Sequence, residues 1–231
     1  MSTFVLVHGS FHGGWCWERV VPELVALGHR ALAPDLPGRG GDATQTLDAY
    51  ARSIGEVIAA QAEPVVLVGH SMGGVVITAV AERMPERLAR LVYVCAFLPA
   101  SGQSLLELAK SDTESALMPA LVIDEASGLH HVRADGARVA FYHDCAEADA
   151  ERAIARLGRE PLAVVAAPVA TTAERFGRVP RTYVECTDDR ALGPSLQRRM
   201  HAAQPCRVER LASSHSPFYS QPAALARLLA G

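Results

Sequence analysis

The stretch Val65-Val66-Leu67-Val68-Gly69-His70-Ser71-Met72-Gly73-Gly74-Val75-Val76-Ile77-Thr78-Ala79-Val80-Ala81 reads as three pieces. A short apolar, β-branched run makes a buried strand, a Gly-x-Ser-x-Gly turn follows it, and an apolar run closed by Pro85 makes a helix. A strand that hands over to a helix so abruptly places Ser71 in a tight, strained turn, with its Oγ projecting over the sheet edge. Neighbours without Cβ atoms let the surrounding backbone pack against that turn.

Working outward, the same alternation recurs. Candidate strands are Phe4 to Val7, Arg30 to Ala33, Val65 to Val68, Leu91 to Cys95, Thr182 to Cys186 and Arg207 to Leu211. Between them Val20, Leu24, Val25 and Leu27 mark a helix that stops at Gly28, and Leu47, Tyr50, Ile54, Val57 and Ile58 mark another. Strands alternating with helices imply an α/β sandwich of three layers around a mostly parallel, six-stranded sheet. The interval from Phe97 to Pro180 is far longer than a crossover needs. Its pattern is helical, with an amphipathic helix over Glu147 to Leu157 ended by Gly158 and a turn-rich piece at Ala134 to Gly136. The expected organisation is one domain over residues 1–231, with its core in 1–100 and 180–231 and a helical cap at about 101–179. The cap would cover the carboxyl ends of the strands, where open α/β sheets hold their ligands.

Composition narrows the class. With 49% apolar and 20% charged residues, the 231-residue chain can bury a full core, which excludes disorder. Lys and Arg number 22 against 25 Asp and Glu, and no basic block appears, so neither nucleic acid nor a membrane surface is an expected partner. No apolar run approaches the ~20 residues of a membrane helix, and Met1 to Val7 enter a strand with no leader pattern, so a cytoplasmic chain is expected. The five cysteines are widely spaced without a CxxC pair and read as buried thiols, not metal ligands. No metal or cofactor is expected, and a homodimer stays open.

A serine hydroxyl needs a base within hydrogen-bond reach and a third group to orient that base. Of the nine histidines, His215 fits best, in the polar loop Ser213-Ser214-His215-Ser216 after the last strand. His29, His130, His131 and His201 read as structural or peripheral, His70 as packing inside the elbow, and His8 and His12 as flanking the first loop, where either could touch ligand or serve structure. The orienting carboxylate should follow the strand Thr182 to Cys186: Asp189 is preferred and Asp188 is the alternative. Oxyanion donors are expected from the amides of Met72, directly after the serine, and Ser10, in the loop after the first strand. Gly9 would leave room for substrate beside them.

These residues resemble the α/β-hydrolase family, in the branch of small methyl esterases, salicylate-binding esterases and hydroxynitrile lyases. The resemblance rests on Val5-Leu6-Val7-His8-Gly9, His12-Gly13-Gly14-Trp15, Gly28-His29, Asp35-Leu36, the Gly69 to Gly74 elbow, Cys186-Thr187-Asp188-Asp189 and Gln197-Arg198. It implies a Ser71, Asp189, His215 triad in that family's chain order, with the Ser10 and Met72 amides as oxyanion hole. The cyanogenic lyases of the branch carry threonine at the position of Gly9 and lysine at that of Ser216, so this chain's residues favour hydrolysis. Both tryptophans, Trp15 and Trp17, lie outside the cap, whereas plant relatives place one against the substrate. The expectation is a serine carboxylesterase for a small, largely apolar ester, methyl or aromatic, with Gly9, His12 and Ser216 at the substrate pocket. The alternatives are cyanohydrin cleavage on the same site and a non-catalytic receptor for a small ligand.

Overall fold

The computed structural model describes residues 1–38 and 40–231. Strand β1 (Thr3–Val7) leads through a loop to α1 (Val20–Ala26), β2 (Arg30–Leu32), α2 (Leu47–Ala59), β3 (Val65–His70), α3 (Gly73–Arg83) and β4 (Leu88–Val94). Next come α4 (Leu105–Lys110), β5 (Leu121–Asp124), β6 (Leu129–Val132), α5 (Ala134–Phe141), α6 (Glu147–Ile154), β7 (Glu160–Pro161) and α7 (Leu162–Ala166). Then β8 (Arg181–Cys186), α8 (Pro194–Ala203), β9 (Arg207–Leu211), α9 (Pro217–Ser220) and α10 (Pro222–Ala230) follow.

The main sheet has six strands in the order β2-β1-β3-β4-β8-β9, and every pair is parallel. Its strands are apolar on both faces because both faces are covered. Val5, Val7, Leu67, Leu91 and Tyr183 pack with α2, α3 and α8, while Phe4, Leu6, Val68, Val92 and Val184 pack with α1 and α10. The chain leaves β1 toward β2 on one side and returns as β3 on the other, so loops diverge at the carboxyl ends of β1 and β3. Val7 lies opposite Gly69, and this register brings the loop after Val7 against the turn that holds Ser71.

The six strands fall where the apolar runs place them, with β3 extending to His70 and β4 starting at Leu88. Helix α1 ends just before Gly28, whose φ of 85° turns the chain out of the helix. The segment between β4 and β8 differs from the purely helical expectation. Its β5, β6 and β7 form an antiparallel three-stranded sheet. Leu121-Val122-Ile123 and Leu129-His130-His131-Val132 bracket Gly128 at φ 70°, a hairpin signature that the surrounding helical pattern masks. Ala134 to Gly136, expected as a turn, is the first turn of α5: Gly136 serves close packing, since a Cβ there would stand 2.1 Å from the Cβ of Ala120. Helix α6 stops at Ile154, one turn short of the expected Leu157. Helices α4 and α7 extend the layer of α2 and α3, and α5 and α6 extend the opposite layer. No described helix is long and apolar enough to cross a membrane.

Candidate active site

Ser71 stands at φ 53°, in the left-handed region that residues with a Cβ avoid. Tertiary contacts hold it there: its N–H donates to Val94 O at 3.4 Å, and its carbonyl accepts from Gly74 N and Phe97 N, both at 3.0 Å. The flanking glycines are steric necessities. A Cβ on Gly69 would come 2.6 Å from Gly73 O, and one on Gly73 would come 2.7 Å from Val7 O.

His215 lies beyond β9, with Nδ1 2.7 Å from Asp189 Oδ2. Asp189 is buried, and its Oδ1 accepts from the amides of Ala191 and Leu192 at 2.8 and 2.9 Å, while Gln197 Nε2 reaches Oδ2 at 3.2 Å. Those donors fix the carboxylate so that Oδ2 meets the imidazole. Asp188, the alternative, is occupied through its backbone: its N–H donates to Ser213 O, and its carbonyl lies 2.9 Å from His143 Nε2. The backbone of His215 is anchored as well. Its carbonyl accepts from His70 Nε2 at 2.8 Å and from the Cys95 thiol at 3.7 Å. His70 is therefore more than helix packing. Burial above all, then the neighbouring His215, pushes its pKa well down, so it stays neutral with its proton on Nε2. Burial likewise pushes the Cys95 thiol up and keeps it protonated. Atoms of His70, Cys95 and His215 lie within 4.8 Å of one another, but a protonated thiol and an imidazole N–H committed to a carbonyl suit an anchor better than a metal cradle.

The loop after β1 completes the site. A Cβ on Gly9 would stand 2.7 Å from the Cβ of Ser71, so glycine is what lets this loop touch the elbow. Among the described residues, the amides of Ser10 and Met72 donate to no protein acceptor, whereas the amide of Phe11, directly after Ser10, and that of Gly74, two residues after Met72, do. His12 sits beside them with Nδ1 2.8 Å from Ser10 O and Nε2 2.7 Å from Tyr142 Oη. The carbonyl requires a proton on Nδ1, so Nε2 accepts from the tyrosine.

Ser71 and His215 open into one cavity of about 140 Å³. Ser10, Phe11 and His12 line it from the β1 loop, and Leu105, Leu121, Phe141, Leu162 and Val165 line it from the segment between β4 and β8. Two expected pocket residues lie elsewhere. Gly9 backs Ser71 without reaching the cavity, and Ser216, at the head of α9, has a fully buried hydroxyl with no partner among the described residues. His130, read from sequence as structural or peripheral, lines the cavity, with burial pushing its pKa down to about 4. Trp15 and Trp17 both stay out of it.

The Alpha/beta hydrolase family matches residues 4–228. A putative chloroplastic methylesterase 14 of Arabidopsis thaliana is 30% identical over 247 aligned positions, covering 99% of this chain and 71% of that one. The chain belongs to this family. Within the alpha/beta hydrolases it falls in the branch of small methylesterases. A pyrethroid hydrolase of Sphingobium wenxiniae is 31% identical, covering 100% of this chain and 87% of its own. The crystal structure of a pyrethroid hydrolase from Sphingobium faniae superposes with a TM-score of 0.89 at 28% identity, covering 99% and 96%. Carboxylic ester hydrolase is the enzyme class that goes with this membership.

Several residues of the site had no legible signal. Phe141 stacks on the His215 ring with centroids 5.4 Å apart, and Asp144 accepts from Ser214 N at 2.8 Å, pinning the histidine loop to the end of α5. Glu160 and Tyr142 reach the β1 loop from far along the chain. None carries a motif, because each acts through a contact with a residue remote in sequence.

Proposed function

We propose that the protein is a serine carboxylesterase that works through an acyl-enzyme, with Ser71 as nucleophile, His215 as general base and acid, and Asp189 as its orienting group. The supporting observation is the pairing of a strained Ser71 with an Asp189-bound His215 on one cavity at the carboxyl ends of the strands. Ser71 Oγ attacks the ester carbonyl carbon while its proton passes to His215 Nε2. The tetrahedral oxyanion is met by the amides of Ser10 and Met72, a contribution of about 3 kcal/mol per donor in comparable sites. The carbon–oxygen bond to the alcohol then breaks, and His215 returns the proton to the departing oxygen. Water repeats the sequence on the acyl-enzyme, releasing the acid and restoring Ser71. No step calls for a metal or cofactor.

A cavity of about 140 Å³ with a mostly apolar wall is close in size to one that takes a benzene ring, which supports a small apolar acyl group. Methylesterase and pyrethroid hydrolase relatives support an ester substrate whose alcohol or acid part is compact or aromatic. Residues 1–231 act in this reading as one domain in which the segment at about 101–179 is the cap. A cytosolic location accords with five unpaired thiols.

The test is product formation from methyl and p-nitrophenyl esters and from mandelonitrile, with the parent protein and Ser71→Ala. Ester hydrolysis lost in the variant is the expected result. Full turnover in Ser71→Ala would refute the mechanism, and cyanide release in place of hydrolysis would replace it with lyase chemistry.

A further inference from the structure

A single peptide unit of the β1 loop is gripped from both sides. Its carbonyl, on Ser10, accepts from His12 Nδ1 at 2.8 Å, and its N–H, on Phe11, donates to Glu160 Oε2 at 3.4 Å. Each grip is backed by a tyrosine: Tyr142 Oη lies 2.7 Å from His12 Nε2, and Tyr50 Oη donates to Glu160 Oε1 at 2.8 Å. The residue carrying that N–H is strained. Phe11 stands at φ 67°, disfavoured for any side chain with a Cβ. What holds it comes from the segment between β4 and β8. Gly158 N donates to Phe11 O at 2.7 Å, and the Phe11 ring meets the edge of His130 at 5.1 Å.

Glu160 itself is 4% exposed and absent from the cavity wall, so it cannot touch substrate. A buried carboxyl is a costly way to fill space, and an apolar residue of similar volume would do that better. Its specific contribution is an acceptor for the Phe11 amide. The Ser10 amide sits one peptide upstream, and its direction depends on how the Ser10–Phe11 plane is fixed. We propose that Glu160 is a positioning residue: it locks that plane and so aims the Ser10 amide at the developing oxyanion, an inference that rests on the serine-esterase reading above. The cap is then part of the catalytic support as well as a pocket wall. Three groups face or neighbour the carboxyl. They are Tyr50 from α2, His130 paired opposite it on β6, and Arg159 beside it, whose guanidinium is taken by Asp124. In either protonation state one carboxyl oxygen remains to accept from Phe11, the proton, when present, going toward Tyr50.

The experiment compares Glu160→Gln, Glu160→Asp and Glu160→Leu with the parent and Ser71→Ala. Each is checked for cooperative unfolding, then assayed with p-nitrophenyl acetate and an aryl trifluoromethyl ketone. The ketone carbon bonds to Ser71 Oγ, and its oxygen becomes the oxyanion. Asp withdraws the acceptor and Leu removes it, so both should lose about 10- to 100-fold in kcat with KM within about twofold. The trifluoromethyl ketone should weaken by the same factor. Gln keeps an acceptor and should stay within about threefold of the parent. A role in packing alone predicts that Leu is tolerated along with Gln, and a role in charge alone predicts the reverse order, with Asp tolerated and Gln impaired. That reverse order, or kcat within threefold in a folded Leu variant, would overturn the inference. If the Leu variant does not fold, the Asp variant decides: kcat lost together with trifluoromethyl ketone affinity at an unchanged KM supports the inference, and kcat lost without that affinity overturns it. Turnover surviving in Ser71→Ala would instead defeat the esterase reading beneath it.

Discussion

Ser71 at φ 53° and Phe11 at φ 67° both stand in left-handed backbone conformations, and they are held there by opposite means. Ser71 is held by its own strand and helix and by the backbone of β1 and β4 pressed against glycines. Phe11 is held by Glu160 and Gly158, about 150 residues further along the chain. The first arrangement is steric, and any added atom breaks it. The second is a set of hydrogen bonds between distant segments, and it can be weakened without being destroyed. On the proposed mechanism, the geometry of the nucleophile is fixed locally, while the loop that would hold the oxyanion depends on the segment between β4 and β8.

The sharpest break is at the elbow. Ser71→Ala should lower kcat by about 10⁴-fold or more with little change in unfolding temperature, measured by initial rates and calorimetry. Asp189→Asn should follow at about 10³- to 10⁴-fold, because the amide cannot hold the imidazole in the tautomer that accepts the serine proton. Gly9→Ala sharpens the contrast between the two loops. Its Cβ would lie 2.7 Å from that of Ser71 and 2.9 Å from His70 Nδ1, so activity should fall by about 10²-fold and stability by about 1–3 kcal/mol. Urea unfolding and kcat measured on the same sample separate those two losses.

The last effect leaves the chemistry untouched and shows only in the pH dependence of stability. Burial pushes Glu160 up to about 7 from an ordinary 4.5, so the folded protein holds a proton that the unfolded chain releases. That stabilisation is complete below pH 4.5 and is lost as pH rises through 7, about 3 kcal/mol in all. His130, held down at about 4, acts in the opposite sense over pH 4 to 6.5, gaining stability as pH rises. The difference between parent and Glu160→Gln isolates the carboxyl: relative to the variant, the parent's unfolding temperature should fall between pH 5 and 8. A constant difference across that range would show that Glu160 does not titrate there.

The same division governs what could be read from the chain. The six strands and the elbow were legible because their cause is local: runs such as Val65 to Val68 must be buried on both faces, and Gly69 and Gly73 flank Ser71 in sequence as in space. Asp189 and His215 were legible from their place just beyond β8 and β9, although neighbouring Asp188 could be set aside only once the donors to Asp189 Oδ1 were known. The segment between β4 and β8 has a helical pattern in sequence that hides its hairpin, because two short apolar runs resemble helix fragments when flanked by helices. Glu160, Asp144 and Phe141 carry no signal, since a buried carboxyl in sequence looks like any surface charge and a site-facing phenylalanine like any core aromatic. Resemblance places Ser216 at the pocket, yet the turn into α9 leaves its hydroxyl buried and outside the cavity wall.

The most direct measurement is the acyl-enzyme itself. Mixing the protein with p-nitrophenyl acetate and quenching in acid within the first turnovers should give a burst of one p-nitrophenol per chain and an acetyl group on the peptide carrying Ser71, both absent from Ser71→Ala. Steady ester turnover with no acyl group on Ser71, or with the label on another residue, would contradict the account.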